Sequence, residues 1–169
     1  MTVKRTLYNE ISAKLAEGMP NLEWIGLNKG QFARLRESYP IPRPCALISI
    51  TRIKWEDDAK RVQKGLATIT VSLFVDAIND TYEGASDVDN ALDLLDYSDD
   101  VYASLGGFKG DFFESLKRTG DNEGQHTGEI STWSTVFETT VYDNTKAAKY
   151  TKVKATPSIS VEIENPEAH

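Results

Sequence analysis

The chain holds one cysteine, Cys45, and two histidines, His126 and His169, in 169 residues. One thiol excludes an internal disulfide, which fits a reducing compartment or a protein that does not use such bonds. No Cys/His cluster has zinc spacing. Long apolar runs are missing as well. The longest are a few residues, against about 20 for a membrane-spanning helix. The opening residues MTVKRTLYNEIS carry Lys4 and Arg5 with no apolar segment behind them. That reads as no signal peptide and a soluble intracellular product. Basic charge is short too: 19 Lys+Arg face 26 Asp+Glu, for a net charge of −7 and a pI near 4.9. A groove that follows duplex phosphates needs a basic surface, so this balance argues against general DNA binding. The bases present, such as Arg52/Lys54 and Lys60/Arg61/Lys64, are scattered in sequence and read as ordinary surface charge, with a local patch in the folded chain as the alternative.

What remains is a globular composition, 40% hydrophobic and 27% charged, at a length suited to one domain and an extension. Thr6–Glu17 reads as a helix. Leu7, Ile11 and Leu15 recur at spacing four, with Thr6 as N-cap, Gly18 as C-cap and Pro20 blocking continuation. Leu22–Leu27 suits a short strand, and the proline-bearing stretch Asn28–Pro44 a surface loop. Cys45–Trp55 is strand-like, and the charged connector Glu56–Lys64 predicts the tip of a long hairpin.

The returning strand, GLATITVSLFVDA, spans Gly65–Ala77. Ala67, Ile69, Val71, Leu73 and Val75 share one face; Thr68, Thr70, Ser72 and Phe74 share the other. The first face predicts a seat for helices. The second predicts a flat, mildly polar surface suited to a subunit neighbour or a ring bore. Asn79–Ser86 is turn chemistry, and Ser86 is placed to cap a second helix. On that helix Val88, Ala91, Leu92, Leu95, Tyr102 and Leu105 recur at three-four spacing, and Gly106–Gly107 end it. Phe108, Phe112, Phe113 and Leu116 form a short apolar cluster. Thr119–Glu129 has three glycines and no apolar residue, which predicts a loop or a mobile hairpin tip, and Ser131–Asp143 is a last core strand. Beyond Asp143 come Lys146, Lys149, Lys152 and Lys154, then Ile159, Val161 and Ile163 alternating with Ser160, Glu162 and Glu164. That is a spare strand pattern, a common means of adding to a neighbour's sheet edge.

These elements predict an α+β domain over 1–143. Its mostly antiparallel sheet has about four to five strands, with two helices on one face and a long β-hairpin. Residues 144–169 read as a C-terminal extension, either flexible or pairing with a neighbour. No catalytic, metal or cofactor site emerges. Asp87-Val88-Asp89-Asn90 fails as a calcium loop, because Ala91 and Leu92 stand where an oxygen ligand and glycine are needed. Gly106–Gly110 ends a helix, whereas phosphate cradles open one. Cys45 has neither histidine in a setting that holds a base within about 3 Å. The candidate contacts are therefore surfaces between subunits: Thr68, Thr70, Ser72, Phe74, Ile159, Val161 and Ile163.

The element order resembles the tail-completion (minor tail, tail-terminator-like) proteins of long-tailed bacteriophages. The resemblance runs from about Leu7 to Asp143. It rests on LYNEISAKLAEGMP, then the proline-led YPIPRPCALISI, ATITVSLFVDA, the helix opening SDVDNALDLLD, and the closing TWSTVFETTVYD. The resemblance implies a small α+β virion protein without catalytic residues or cofactors. It implies rings, often hexameric, at the head-proximal end of the tail, with tail-tube and neck proteins as partners and DNA passing through. The 56–64 hairpin, the 119–129 loop and the extension fall outside it. A head-side neck connector is the alternative within that setting; a small cytoplasmic ligand-binding protein or enzyme is the alternative outside it.

Overall fold

The computed structural model describes residues 2–34, 41–58, 62–76, 88–124 and 130–146. Its elements are α1 (Val3–Gly18), β1 (Trp24–Leu27), a 3-10 turn (Gln31–Arg34), β2 (Cys45–Asp57), β3 (Gln63–Asp76), α2 (Val88–Leu105), β4 (Lys117–Glu123) and β5 (Ile130–Asp143). The sheet is five-stranded in the order β1-β2-β3-β5-β4. Only β1 and β2 run parallel; the other neighbours are antiparallel. The class is α+β, as the sequence predicted.

β3 sits at the centre because its alternation gives it a fully apolar face. Ala67, Ile69, Val71 and Leu73 are buried with Phe137 and Val141 of β5, under Leu7, Ile11 and Leu15 of α1 and Val101 and Leu105 of α2. Burying a side chain of this kind stabilises by roughly 1.5–3 kcal/mol, so this layer dominates the fold. The inner face of β3 does hold the helices.

β2 solves a patterning problem with a bulge. The pairing with β3 shifts between Ile50 and Arg52, so Thr51 has no partner. Before the bulge Ala46, Ile48 and Ile50 face inward; after it Ile53 and Trp55 do, opposite Ala67 and Gly65. A regular ladder would have turned Arg52 and Lys54 into the core, since strand parity is strict. Thr51 instead donates its hydroxyl to the Thr68 carbonyl at 3.2 Å.

Three expectations are corrected. α1 begins at Val3, with Thr2 as N-cap, and Thr6 lies inside the helix, its hydroxyl bonded to the Thr2 carbonyl at 3.3 Å. Gly18 is the last helical residue, and its role is clearance: a Cβ there would sit 2.1 Å from Ser104 Oγ of α2. Lys117–Glu123 is strand β4, although its sequence KRTGDNE has no apolar alternation. Pairing with β5 supplies what propensity does not, since Arg118 through Glu123 lie opposite Phe137 through Trp133. The Asn79–Ser86 turn, the Ser86 cap, His126, and the pattern at Ile159, Val161 and Ile163 lie outside the described residues.

The second helix uses its apolar positions differently from expectation. Val101 and Leu105 are buried, but Leu92, Leu95 and Tyr102 are 42%, 48% and 43% exposed. Gly107, at φ +78, follows the helix, and its N–H donates to the Leu116 carbonyl at 2.9 Å. The left-handed backbone there is where glycine is favoured.

Candidate functional site

The sheet face opposite the helices divides into two halves. In one half the chain covers itself. Phe74 of β3 stacks on Phe32 of the 3-10 turn, ring centroids 4.0 Å apart and planes 15° from parallel. Ser72 is buried, its hydroxyl 2.8 Å from that of Ser134. Cys45 and Leu47, opposite Phe74 and Ser72, are 0% and 1% exposed although they face away from the helices. Trp24, paired beside Cys45, lays its ring over Gly26, whose added Cβ would meet it at 2.9 Å. Arg43 closes the corner with an ion pair and hydrogen bond to Asp76. This is a second, smaller core. Burial pushes the Cys45 thiol up to about 12, with Arg43 opposing and Asp76 adding to the rise. A thiol so raised is not a thiolate near neutrality, and Cys45 packs here as a small buried apolar side chain.

The other half is open. Thr68 and Thr70 are half-buried, and Leu66 is 47% exposed. They lie between Lys54, Arg52 and Ser49 of β2 and Thr140, Glu138 and Val136 of β5. Of the four predicted contact residues on β3, Thr68 and Thr70 therefore belong to an available surface, while Ser72 and Phe74 are engaged within the chain. A surface depression of about 540 Å³ adjoins Leu66 and is lined by Lys64, Lys117, Glu138 and Tyr142 among others. Tyr142 donates to Glu114 Oε1 at 3.0 Å, which holds the phenol's proton and raises its ionisation range.

The two sides of the sheet are uncovered in different ways. On the β2 side, β1 reaches only Cys45–Ile48. Beyond Ile48 no described strand pairs with that edge. On the β4 side, Arg118 lies 3.9 Å over the Tyr102 ring and 4.0 Å from Asp99. Leu95 and Leu92 continue the same helical flank toward the N-terminus of α2, because residues three to four apart are neighbours. The result is an apolar stripe set among Asp96, Asp99 and Asp100. Sequence spacing put Leu92, Leu95 and Tyr102 in one repeat with Leu105, whereas the buried flank is Ser98, Val101 and Leu105.

Among the described residues no group of three or more His, Cys, Asp or Glu is placed to hold a metal ion. No described helix is long and apolar enough to cross a membrane. No family model matches the chain, and no curated protein does. Among solved structures a similar chain comes from a structure described as "Virion of native gene transfer agent (GTA) particle". The TM-score is 0.43 at 12% identity, covering 76% of this chain and 84% of that one. A likeness this loose says nothing of what the chain does.

Proposed function

We propose that this chain is a non-enzymatic structural subunit of a long-tailed phage or prophage. It assembles into a ring at the head-proximal end of the tail, as a tail-completion or head–tail joining protein. The domain over 1–143 forms the body and residues 144–169 reach toward partners. Tail-tube and neck proteins seat on the ring, and DNA passes through an acidic bore without counterion-releasing contacts.

The observation that carries this reading is that two unlike surfaces stand on opposite sides of one sheet. One is the β2 edge beyond Ile48; the other is the Leu92–Leu95–Tyr102 stripe beside β4. A self-complementary pair would use one patch twice. Unlike patches favour head-to-tail contacts, which close into rings when the rotation permits. The sequence resemblance adds the setting, and Thr68 and Thr70 give a mildly polar face for a further neighbour.

The test is light scattering at high protein concentration, alone and with tail-tube protein. A ring-sized species is expected in at least the second condition. A strict monomer in both overturns the reading.

A further inference from the structure

We infer that residues Ile159–Glu164 of one copy add as an antiparallel strand to the β2 edge of the next, opposite Arg52–Asp57. This rests on the ring reading and names its contact. The acceptor starts where the Thr51 bulge ends and the strand becomes regular. Its edge is unpaired among the described residues, and exposed strand edges template pairing with another chain. Inward it offers Ile53 and Trp55, both half-buried against the core. Outward it offers Arg52, Lys54 and Glu56, all exposed; neither base makes an ion pair with a described residue.

The donor pattern is the complement. Ile159, Val161 and Ile163 alternate with Ser160, Glu162 and Glu164. Run antiparallel, Glu164 stands opposite Arg52, Glu162 opposite Lys54 and Ser160 opposite Glu56. Ile163 and Val161 then meet Ile53 and Trp55 on the inner face. Run parallel over the same residues, Glu164 would oppose Asp57 and Glu162 would face Trp55, and like charges directly opposite are destabilising. Charge therefore selects the direction.

The path agrees. β5 ends at Asp143 opposite Gln63, level with the hairpin tip where β2 also ends. An extension leaving there turns back antiparallel to β2. β5 is next to β4, so it leaves on the side that a head-to-tail ring turns toward the neighbour's β2 edge. The lysines at 146, 149, 152 and 154 would cross the tip past Glu56, Asp57 and Asp58, with no acid between Asp143 and Glu162.

The experiment compares the full chain with one ending at Lys146, and with charge variants, in the condition where the full chain assembles. Light scattering reads the state, and hydrogen exchange reads those amides of Arg52–Glu56 that point away from β3, the alternate ones being bonded to β3 already. Truncation is expected to abolish the ring and to deprotect those amides by about tenfold or more, as an opened edge strand would. Arg52→Glu with Lys54→Glu should abolish assembly, and Glu162→Lys with Glu164→Lys on the same chain should restore it. Assembly and protection unchanged by truncation overturn the strand addition while leaving the ring reading intact. Protected amides in a monomeric full chain mean the chain folds its own tail onto β2, which overturns the second-copy assignment. A monomer with unprotected amides, also with tail-tube protein, overturns both.

Discussion

Removing Phe32 tests the covered corner of the outer sheet face most directly. Phe32 and Phe74 are both half-buried. Full burial of such a side chain is worth roughly 1.5–3 kcal/mol, so half burial contributes about 1–1.5 kcal/mol. The parallel stack at 4.0 Å adds about 0.5–1.5 kcal/mol beyond area. Phe32→Ala should therefore cost about 2 kcal/mol. In a domain stable by about 5–15 kcal/mol the fold survives, with Tm lowered by about 4–8 °C. Phe74→Ala should cost a similar amount, and the double variant less than the sum, by about 1 kcal/mol of coupling. Urea denaturation of the four proteins gives these values, provided m stays constant. A second readout needs no unfolding. Cys45 is sealed in the wild type, and an aromatic disulfide reagent should reach its thiol faster in Phe32→Ala than in the parent. Additive costs, with coupling under about 0.3 kcal/mol and an unchanged thiol rate, would show that the turn does not pack on the sheet. The whole outer face would then be open to a partner.

Four further outcomes are expected. Leu95→Lys on the exposed stripe should leave thermal stability within about 0.5 kcal/mol while weakening assembly by light scattering; a large drop in Tm would place Leu95 in the core instead. Thr135 Oγ1 is buried without a hydrogen-bond partner among the described residues. Thr135→Val should thus be neutral or stabilising by up to about 1 kcal/mol in urea, whereas a loss would reveal a partner. Gly65→Val must drive a side chain into Trp55 and Ile53, which a Cβ would already meet at 2.7 and 2.8 Å, so it should destabilise by about 1–3 kcal/mol and shift Trp fluorescence. Partial burial, with Asp111 nearby, raises the Glu10 carboxyl above its ordinary range. The folded state then holds that proton more tightly, so stability falls as pH rises through the window between the ordinary and raised values. Glu10→Gln should remove that fall in a series of urea midpoints, and an unchanged pH profile would refute it.

Periodicity made the central layer legible, because β3 alternates cleanly, β5 keeps Trp133, Phe137 and Val141 on one face, and α1 repeats at four. Three features were hidden for physical reasons. β4 has the composition of a loop and becomes a strand through its neighbour. The α2 positions follow helical spacing, but two adjoining stripes share that spacing, and only packing decides which one meets the sheet. The cover over Ser72 and Phe74 comes from Phe32, far along the chain in a segment without periodicity. Gly18 was legible as a helix end but not as a crossing point, since the clash with Ser104 depends on α2. The alternation of β3 told its helix-covered face from its outer one, but not that Phe32 stacks on Phe74 and covers half of that outer face.

The strand order has a consequence for how the chain comes into being. β2 and β3 form a local hairpin, but the partner of β3 on its other side is β5, ending at Asp143. Pairings between distant residues form slowly, because the intervening chain must be closed first. During synthesis, then, the edge of β3 facing β5 stays bare, and Phe137 is absent from the core, until nearly the whole body of the domain has been made. Folding is thereby tied to completion: a chain stopped before β5 leaves an adhesive central strand, a form prone to aggregation. The residues beyond Asp143 are made only afterwards, so any copy able to offer them to a neighbour already has its five-stranded sheet specified in full.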